Sequence, residues 1–126
     1  MTKLIVETKQ APDAVGPYSQ AVATGDLVFC SGQIPLDPDT GELVEGSIAD
    51  QTRRCMLNLA AVLDAAGTSL TRALKVTVFL VDIGDYAEFN DAYGEFVGPE
   101  PPARAAFAVS ALPKGARVEI ECVAER

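Results

Sequence analysis

The pattern of apolar and polar side chains predicts strands toward both ends of the chain. Short apolar runs occupy residues 4–6, 18–23 and 27–31, and the last two flank a Gly25-Asp26 turn. Residues 74–82 form the clearest strand, and their second half is apolar on both faces. Because a one-sided strand would alternate apolar with polar residues, this strand is expected to be covered on both sides.

Two more strands are predicted at the end of the chain. Residues 104–109 alternate between a face that begins with Arg104 and a face with Ala105, Phe107 and Val109. Residues 118–125 alternate between apolar or small residues and a face that carries the glutamates. This period of two is typical of strands rather than helices.

Apolar residues at helical spacing predict two helices between these strands. The first begins after Ser47, where Asp50 completes a capping-box pattern, and ends before Gly67, which suits the left-handed position after a helix. The second begins near Asp85, with Glu88 in its first turn. Its predicted apolar face consists of Phe89, Ala92, Tyr93 and Phe96.

The order of these elements predicts an α+β fold, in which two helices pack on one face of a mixed sheet. The length of 126 residues fits one domain that spans residues 1–126. Two helices cover only one face, whereas residues 74–82 are apolar on both. We therefore predict that the uncovered face meets a second copy of the chain and that the protein is a homo-oligomer.

Composition narrows the possible partners. The formal net charge is −8, which argues against nucleic acid, because binding to phosphates depends on Lys and Arg. No apolar run is long enough for a membrane span, and the N-terminal residues lack the apolar core of a secretory signal. The cytoplasm is the expected location, and no membrane partner is expected.

The sequence contains no histidine, which limits the available chemistry. Ser-His-Asp triads, Cys-His pairs and histidine-based metal sites are excluded. Proton transfer would instead use carboxylates, tyrosine, serine, the backbone or water. Cys30, Cys55 and Cys122 are odd in number and widely spaced, so we expect reduced thiols in or near the core.

Arg104 is the first candidate for binding chemistry. It follows the rigid Pro101-Pro102-Ala103 segment and opens a strand of small residues, which leave room around its guanidinium. A guanidinium holds a carboxylate through two hydrogen bonds and stays charged. The alternative interpretation is a structural salt bridge to Glu119 or Glu121. Those glutamates form either a solvated polar face or a pair of which one lies beside Arg104 and orients a water molecule.

Two turns and one helical residue add weaker candidates. Residues 16–20 and 31–35 form rigid turns with polar tips, and Asn90 follows Phe89 on the second predicted helix. Each also has a plain structural interpretation. The turns are compatible with ordinary turn chemistry, and Asn90 with an exposed polar position.

Several of these segments match a known family in the same order. They are residues 16–21 (GPYSQA), 28–35 (VFCSGQIP), 51–59, 62–63, 76–80, 89–93, 102–104 and 118–121. Together they resemble the RidA/YjgF family of reactive-intermediate deaminases over nearly the whole chain. Any one motif is weak, whereas the ordered set is specific.

The resemblance implies a chorismate-mutase-like α+β subunit that forms a homotrimer, with three active sites at the subunit interfaces. It implies hydrolysis of 2-imino or 2-enamino acids, such as 2-iminopropanoate, to 2-keto acids and ammonia, without a metal or cofactor. By the same resemblance, Arg104 binds the substrate carboxylate and Glu119 positions the attacking water. The matching pocket positions are Tyr18, Ser31, Gly32 and Asn90.

One position departs from the pattern of the family. Many active members carry a cysteine two residues after the arginine, and this chain has Ala106 there. Backbone groups at Ala106 remain available to a substrate, although a thiol is not. This departure keeps open a second hypothesis, a non-catalytic trimer that binds small carboxylates or regulates a partner. An RNA-directed role is disfavoured by the charge and the lack of histidine, and the sequence does not address a chaperone role.

Overall fold

The computed structural model describes residues 2–126 and contains one mixed sheet with two helices. The strands and helices are β1 (Leu4–Val6), β2 (Ala21–Thr24), β3 (Leu27–Gln33), α1 (Ile48–Ala65), β4 (Ala73–Leu80), α2 (Tyr86–Gly94), β5 (Ala103–Ala108) and β6 (Val118–Glu125). Single turns of 3-10 helix occupy Leu70–Arg72, Ile83–Asp85 and Pro113–Gly115. The predicted α+β class is confirmed.

The strand order β1-β2-β3-β6-β4-β5 places the last strand of the chain inside the sheet. All neighbouring strands are antiparallel except β4 and β5, which are parallel and joined through α2. The register pairs Cys30 with Cys122 and Phe79 with Glu119. As a result β5, which carries Arg104, lies at one edge, whereas Glu119 lies on an interior strand.

The two helices cover one face of the sheet and bury its apolar side chains. The largest of the fully buried side chains are Phe89, Ile48, Met56, Leu59, Leu63, Leu80 and Ile120. On the opposite face, Phe79 and Phe107 meet edge to face with ring centroids 5.3 Å apart. Phe29 and Phe107 are each 45% exposed there. The predicted apolar face outside the helices is confirmed, and its contact with a second copy remains a prediction.

Helix α1 has the termini that the sequence predicts. The Asp50 N–H donates to Ser47 Oγ at 3.1 Å, and the Ser47 N–H donates to Asp50 Oδ2 at 3.2 Å. At the other end, Gly67 adopts a left-handed φ of 85°, and the Thr68 N–H donates to the Leu63 carbonyl. A capping box and a left-handed glycine therefore set the length of this helix.

Helix α2 begins beside Asp85, as the sequence predicts, but ends before the last residue of its predicted apolar face. It begins at Tyr86 and ends at Gly94, so Phe96 packs against the core from beyond the helix. The Asp85 side chain does not cap α2 and instead accepts two hydrogen bonds from Arg117. Glu88 accepts from the Ala49 N–H across the interface with α1. The acidic residues that indicated a helix start thus serve tertiary contacts.

Four strands also differ from their predicted limits. Strand β4 spans Ala73–Leu80 rather than 74–82, and β5 spans Ala103–Ala108 rather than 104–109. Strand β2 begins at Ala21 rather than at residue 18, because Gln20 turns its side chain to the preceding loop. Strand β3 continues past Gly32 to Gln33 through a bulge in its pairing with β6. Leu74 and Val76 alternate in the sequence, but the pairing of β4 with β6 shifts register between Ala73 and Lys75, and Leu74 is 45% exposed whereas Val76 is buried.

The three cysteines are free and buried, as the sequence predicted. Burial is the main cause that raises the pKa of Cys55, so this thiol stays protonated. Within residues 2–126, no helix is both long and apolar enough to cross a membrane.

Candidate active site

A cleft of about 400 Å³ lies where β3 ends and β6 begins. Its lining includes Tyr18, Ser31, Gly32 and Glu119, so the structure brings four of the predicted site residues together. Lys114 also lines the cleft, although the sequence did not single it out. Asp13 lines it as well, so the cleft combines hydroxyl groups, two carboxylates and an ammonium group.

Gly32 makes room in the cleft for Glu119. A Cβ atom built on Gly32 would overlap the carboxylate and Cγ of Glu119. Gly32 has an ordinary backbone conformation that other residues can adopt. Glycine is therefore required here because there is no space for a side chain. Any larger residue at this position would move the Glu119 carboxylate.

The loop that carries Tyr18 is held in place by Gln20, which is only 3% exposed. Its Nε2 donates to the Thr8 carbonyl at 3.1 Å and to the Pro12 carbonyl at 2.8 Å, and its Oε1 accepts from the Thr8 N–H at 2.7 Å. Ser31 Oγ in turn donates to the Ser19 carbonyl at 2.6 Å. A buried amide and one hydroxyl thus fix this loop against β3.

Helix α1 supports the other wall of the cleft through Asn58, which is fully buried. Its Nδ2 donates to the Leu36 carbonyl at 3.0 Å, and its Oδ1 accepts from Arg54 Nε at 3.1 Å. Gln51, also buried on α1, donates to the Val44 carbonyl and accepts from the Arg117 N–H. The sequence analysis did not predict these roles. The available signal was that two amides interrupt the apolar face of an amphipathic helix.

Lys114 has a left-handed backbone with φ of 59°, in the turn between β5 and β6. This conformation is uncommon for a residue other than glycine. The Lys114 Nζ donates to the Gly41 carbonyl at 3.4 Å, so the side chain spans from this turn to the loop after β3. It brings a positive charge to a cleft that also contains Glu119.

The pKa of Glu119 is raised above its usual range. Burial is the larger cause, because it disfavours the charged carboxylate, and the negative charge of Glu121 on the same face is the second. A carboxylate with a raised pKa is a better proton acceptor when it is ionised. This property suits the predicted role of Glu119 toward a water molecule.

Arg104 lies away from this cleft, on β5 beside α2. Its guanidinium carbon is 4.9 Å from the ring centroid of Tyr93, 5.5 Å from that of Phe89 and 5.6 Å from that of Tyr86. Its Nη2 donates to the Tyr86 hydroxyl at 2.8 Å. Three aromatic rings and one hydroxyl from a single helix therefore surround this half-buried cation.

Within one chain, Arg104 and Glu119 point to opposite faces of the sheet. Arg104 pairs with Val76, which is buried beneath the helices, whereas Glu119 pairs with Phe79 on the other face. The predicted salt bridge from Arg104 to Glu119 or Glu121 is therefore wrong within one chain, whereas a glutamate beside Arg104 from a second chain stays a prediction. Glu121 shares the face of Glu119, so within one chain it also points away from the face that carries the guanidinium.

The remaining predicted residues lie near Arg104. Ala106 is two residues along β5, on the same face, and packs against the core. Asn90 is half-buried on α2, one turn after Tyr86. The structure thus divides the predicted site into two parts. We call Tyr18, Ser31, Gly32 and Glu119 the cleft half, and Arg104, Ala106 and Asn90 the anchor half.

Each half has a separate chemical capacity. The cleft half offers a carboxylate with a raised pKa beside hydroxyl groups, which together can orient a water molecule and accept its proton. The anchor half offers a guanidinium that can hold a carboxylate. Across residues 2–126, no three Cys, Asp or Glu side chains cluster as ligands for a metal ion.

Comparison with known proteins gave matches over almost the full chain. A family model described as Endoribonuclease L-PSP matches residues 8–126. A 2-iminobutanoate/2-iminopropanoate deaminase of Homo sapiens is 44% identical over 124 residues, which cover 98% of this chain and 90% of that protein. The crystal structure of a Yersinia pestis protein of the conserved Rid protein family matches with a TM-score of 0.96 and 48% identity, over 99% of this chain and 100% of that one. The crystal structure of E. coli TdcF with bound serine matches with a TM-score of 0.92 and 41% identity, over 98% of both chains.

Proposed function

This chain belongs to the endoribonuclease L-PSP family, the RidA/YjgF family that its motifs predicted, and on that premise we propose that it deaminates reactive 2-imino and 2-enamino acids. The substrates would be small acids such as 2-iminopropanoate, and the products a 2-keto acid and ammonia. A relative that is 44% identical carries the name of this activity. Other members of the family carry different names, so the support for this activity must come from the residues of the site in this chain.

The observation that carries the proposal is the guanidinium of Arg104, which three aromatic rings and the Tyr86 hydroxyl hold at a sheet edge. A fixed, half-buried cation without a carboxylate partner in the described chain suits the carboxylate of a small substrate. The bound serine of E. coli TdcF, a small molecule with a carboxylate, agrees with this ligand class.

The reaction needs little acid–base assistance, because a protonated imine is already electrophilic. Water adds to the imine carbon while the Glu119 carboxylate accepts one of its protons. The proton then passes to the nitrogen of the tetrahedral intermediate. Collapse of that intermediate breaks the C–N bond and forms the keto group, while its hydroxyl proton passes through the Glu119 carboxylate to the departing ammonia, which leaves as ammonium. Holding the substrate carboxylate and one water in the right geometry supplies most of the catalysis.

The two halves would meet across a subunit interface. Since Arg104 and Glu119 point to opposite faces of one sheet, the anchor half of one chain needs the cleft half of another. We assign the assembly as a homotrimer with three such sites, as the resemblance to the family implies. The exposed Phe29 and Phe107 supply apolar surface for that contact.

The direct test is the substitution Arg104→Ala. The imine is generated in situ by an amino-acid oxidase acting on alanine, and the release of keto acid and ammonia is followed. Loss of the carboxylate contact is expected to lower kcat/KM by about 100-fold or more. Arg72→Ala, which removes an exposed arginine near the end of β6, is the matched control. Equal rates for Arg104→Ala and the wild type would refute the proposal.

Mixing two inactive variants tests whether the site is shared between chains. Arg104→Ala and Glu119→Gln are unfolded together and refolded as a mixture. If each site takes its anchor half and its cleft half from different chains, roughly a quarter of the sites regain both residues. Activity near that level supports the shared site, and a mixture as inactive as its components contradicts it.

The second candidate is a non-catalytic trimer that binds small carboxylates, which Ala106 favours because it replaces a frequent cysteine of the family. This candidate predicts a different outcome of the binding and imine-decay measurements from that expected of a deaminase. The wild type would bind 2-oxobutanoate through Arg104, and the decay of the imine would proceed at the uncatalysed rate.

A further inference from the structure

We infer that Tyr86 is a positioning residue, whose hydroxyl fixes the orientation of the Arg104 guanidinium for a carboxylate. This inference rests on the proposed role of Arg104 as the carboxylate anchor. Tyr86 lies outside the motifs that the sequence shares with the RidA/YjgF family, and the resemblance gives it no role. Its contact with Arg104 emerges only from the three-dimensional structure.

The aromatic rings alone do not set the direction in which the guanidinium presents its N–H groups. The centroids of Tyr86, Phe89 and Tyr93 lie 4.9 to 5.6 Å from the guanidinium carbon. A cation over a ring is attracted to the whole face, with little dependence on rotation within its own plane. A hydrogen bond is directional, and the bond of 2.8 Å from Nη2 to the Tyr86 hydroxyl fixes that rotation.

The hydroxyl of Tyr93 does not share this role. It is buried and has no hydrogen-bond partner among the described residues, although the Tyr93 ring is the nearest to the guanidinium. Burial is the main cause that raises the pKa of Tyr93, so its hydroxyl stays protonated. Of the two tyrosines beside Arg104, only Tyr86 therefore combines the ring contact with a hydrogen bond.

The backbone of Tyr86 is tied to the rest of the protein, while its side chain is 39% exposed. It is the first residue of α2, and its N–H donates to the Ile83 carbonyl. The start of α2 is tied to the rest of the protein by the Asp85–Arg117 ion pair and by the bond from the Ala49 N–H to Glu88. A hydroxyl on such a support defines the position of the group that it contacts.

This bond leaves the guanidinium able to bind a substrate. A guanidinium has five N–H donors, and the Tyr86 hydroxyl accepts from one of them. Two parallel donors can still meet the two oxygens of a carboxylate. The Tyr86 hydroxyl thus orients the guanidinium and leaves its other N–H donors available to the substrate. Loss of this hydroxyl should therefore change mainly the affinity for the carboxylate.

The test compares Tyr86→Phe with the wild-type oligomer in the binding of 2-oxobutanoate, measured by titration calorimetry. Removal of the hydroxyl is expected to raise the Kd by about tenfold, because the guanidinium must then be ordered on binding. In the deaminase assay, KM should rise while kcat stays within about twofold. An unchanged Kd would overturn the inference, and so would an equal loss of kcat.

A double-mutant cycle separates positioning from a general structural effect. Arg104→Lys keeps a positive charge but lacks the planar fork of donors that Tyr86 would orient. If Tyr86 acts through that fork, adding Tyr86→Phe to Arg104→Lys causes little further loss of affinity. The same tenfold loss in both backgrounds would show that Tyr86 acts independently of Arg104, and would overturn the inference.

The two proposals fail in different ways. Binding of 2-oxobutanoate that depends on Arg104 and Tyr86, without acceleration of imine hydrolysis, would refute the deaminase and retain the positioning role. Hydrolysis that depends on Arg104 but is indifferent to Tyr86→Phe would retain the deaminase and refute the positioning role.

Discussion

The two halves of the candidate site differ in the structural elements that hold their residues in place. The cleft half depends on loops that buried amides hold in place, with Gln20 on one side and Asn58 on the other. The anchor half depends on regular elements, because Arg104 lies on a strand and its three aromatic neighbours on one helix. The cleft half should therefore be sensitive to single polar contacts, whereas contacts of the Arg104 side chain with the aromatic rings of α2 hold the anchor half.

The halves also differ in how they respond to pH. Glu119 carries a pKa raised by burial and by Glu121, so it loses its charge at a higher pH than an ordinary carboxylate does. An arginine stays protonated at any working pH. A substrate carboxylate can thus be held over a wide pH range, while the handling of water depends on the protonation of one side chain. The following predictions perturb the two halves separately, beginning with the largest expected effect.

The largest effect is expected from Gly32→Ala. The new Cβ would overlap the Glu119 carboxylate, so that side chain must leave its position against residue 32. We expect kcat to fall by about 100-fold, since a misplaced catalytic group commonly costs this much. The Kd for 2-oxobutanoate should change by less than about threefold if the anchor half alone binds the carboxylate.

Gly94→Ala is the matched control for that substitution. Gly94 is the last residue of α2, and a Cβ there would meet nothing within 4 Å. Stability should rise slightly, because alanine favours the helix, and the rate should not change. If Gly32→Ala retained full activity, Glu119 would not be the residue that handles the water.

A smaller effect, on stability, is expected from Gln20→Ala. This substitution leaves the carbonyl groups of Thr8 and Pro12 and the Thr8 N–H without their partner at a buried site. Unfolding free energy is expected to drop by about 2–4 kcal/mol, measured by urea denaturation. Gln10→Ala removes an exposed amide and should stay within about 0.5 kcal/mol of the wild type.

Gln20→Ala should also affect the activity of the cleft half and the ligand affinity of the anchor half to different extents. Release of the loop that carries Tyr18 should lower kcat, whereas the affinity for 2-oxobutanoate should persist if Arg104, which does not contact the loop of its own chain, is what holds the carboxylate. A parallel loss of affinity would mean that the cleft half also contributes to holding the carboxylate.

Local patterns in the sequence were sufficient to predict most of the fold. Ser47 and Gly67 mark the ends of α1 because capping depends on neighbouring residues. The alternation in β6 identifies its buried face because a strand has a period of two. The limits of α2 were less predictable, since Asp85 and Glu88 resemble capping residues but bind Arg117 and Ala49 across the fold.

The location of the site was harder to predict, because it depends on strand order. Sequence alone indicated that Arg104 and Glu119 belong to strands, but the relation of β5 and β6 to the intervening β4 places them on opposite faces. The role of Tyr86 was also hidden, because a tyrosine at the start of a helix carries no local sign of the cation that it contacts. Contacts between distant segments have no signature in either segment alone.

The smallest expected effect concerns the pH dependence of the reaction. If the ionised Glu119 accepts a proton from water, the rate falls as the pH drops through the raised pKa of this group. Glu121→Gln removes the negative charge that is the second cause of that shift. The acidic limb of kcat against pH should then move to lower pH, because the ionised form of Glu119 is no longer opposed by a like charge.

Burial remains as the larger cause, so the limb should still lie above the usual carboxyl value of 4.5 in the Glu121→Gln variant. Asp64→Asn, which removes a negative charge from the exposed surface of α1, should leave the limb in place. A limb that moves equally in both variants would reflect net charge alone. If the limb does not move in Glu121→Gln but is lost in Glu119→Gln, the titrating group is Glu119 and the charge of Glu121 has no influence on it. Burial of Glu119 would then be the only cause of the different responses of the two halves to pH.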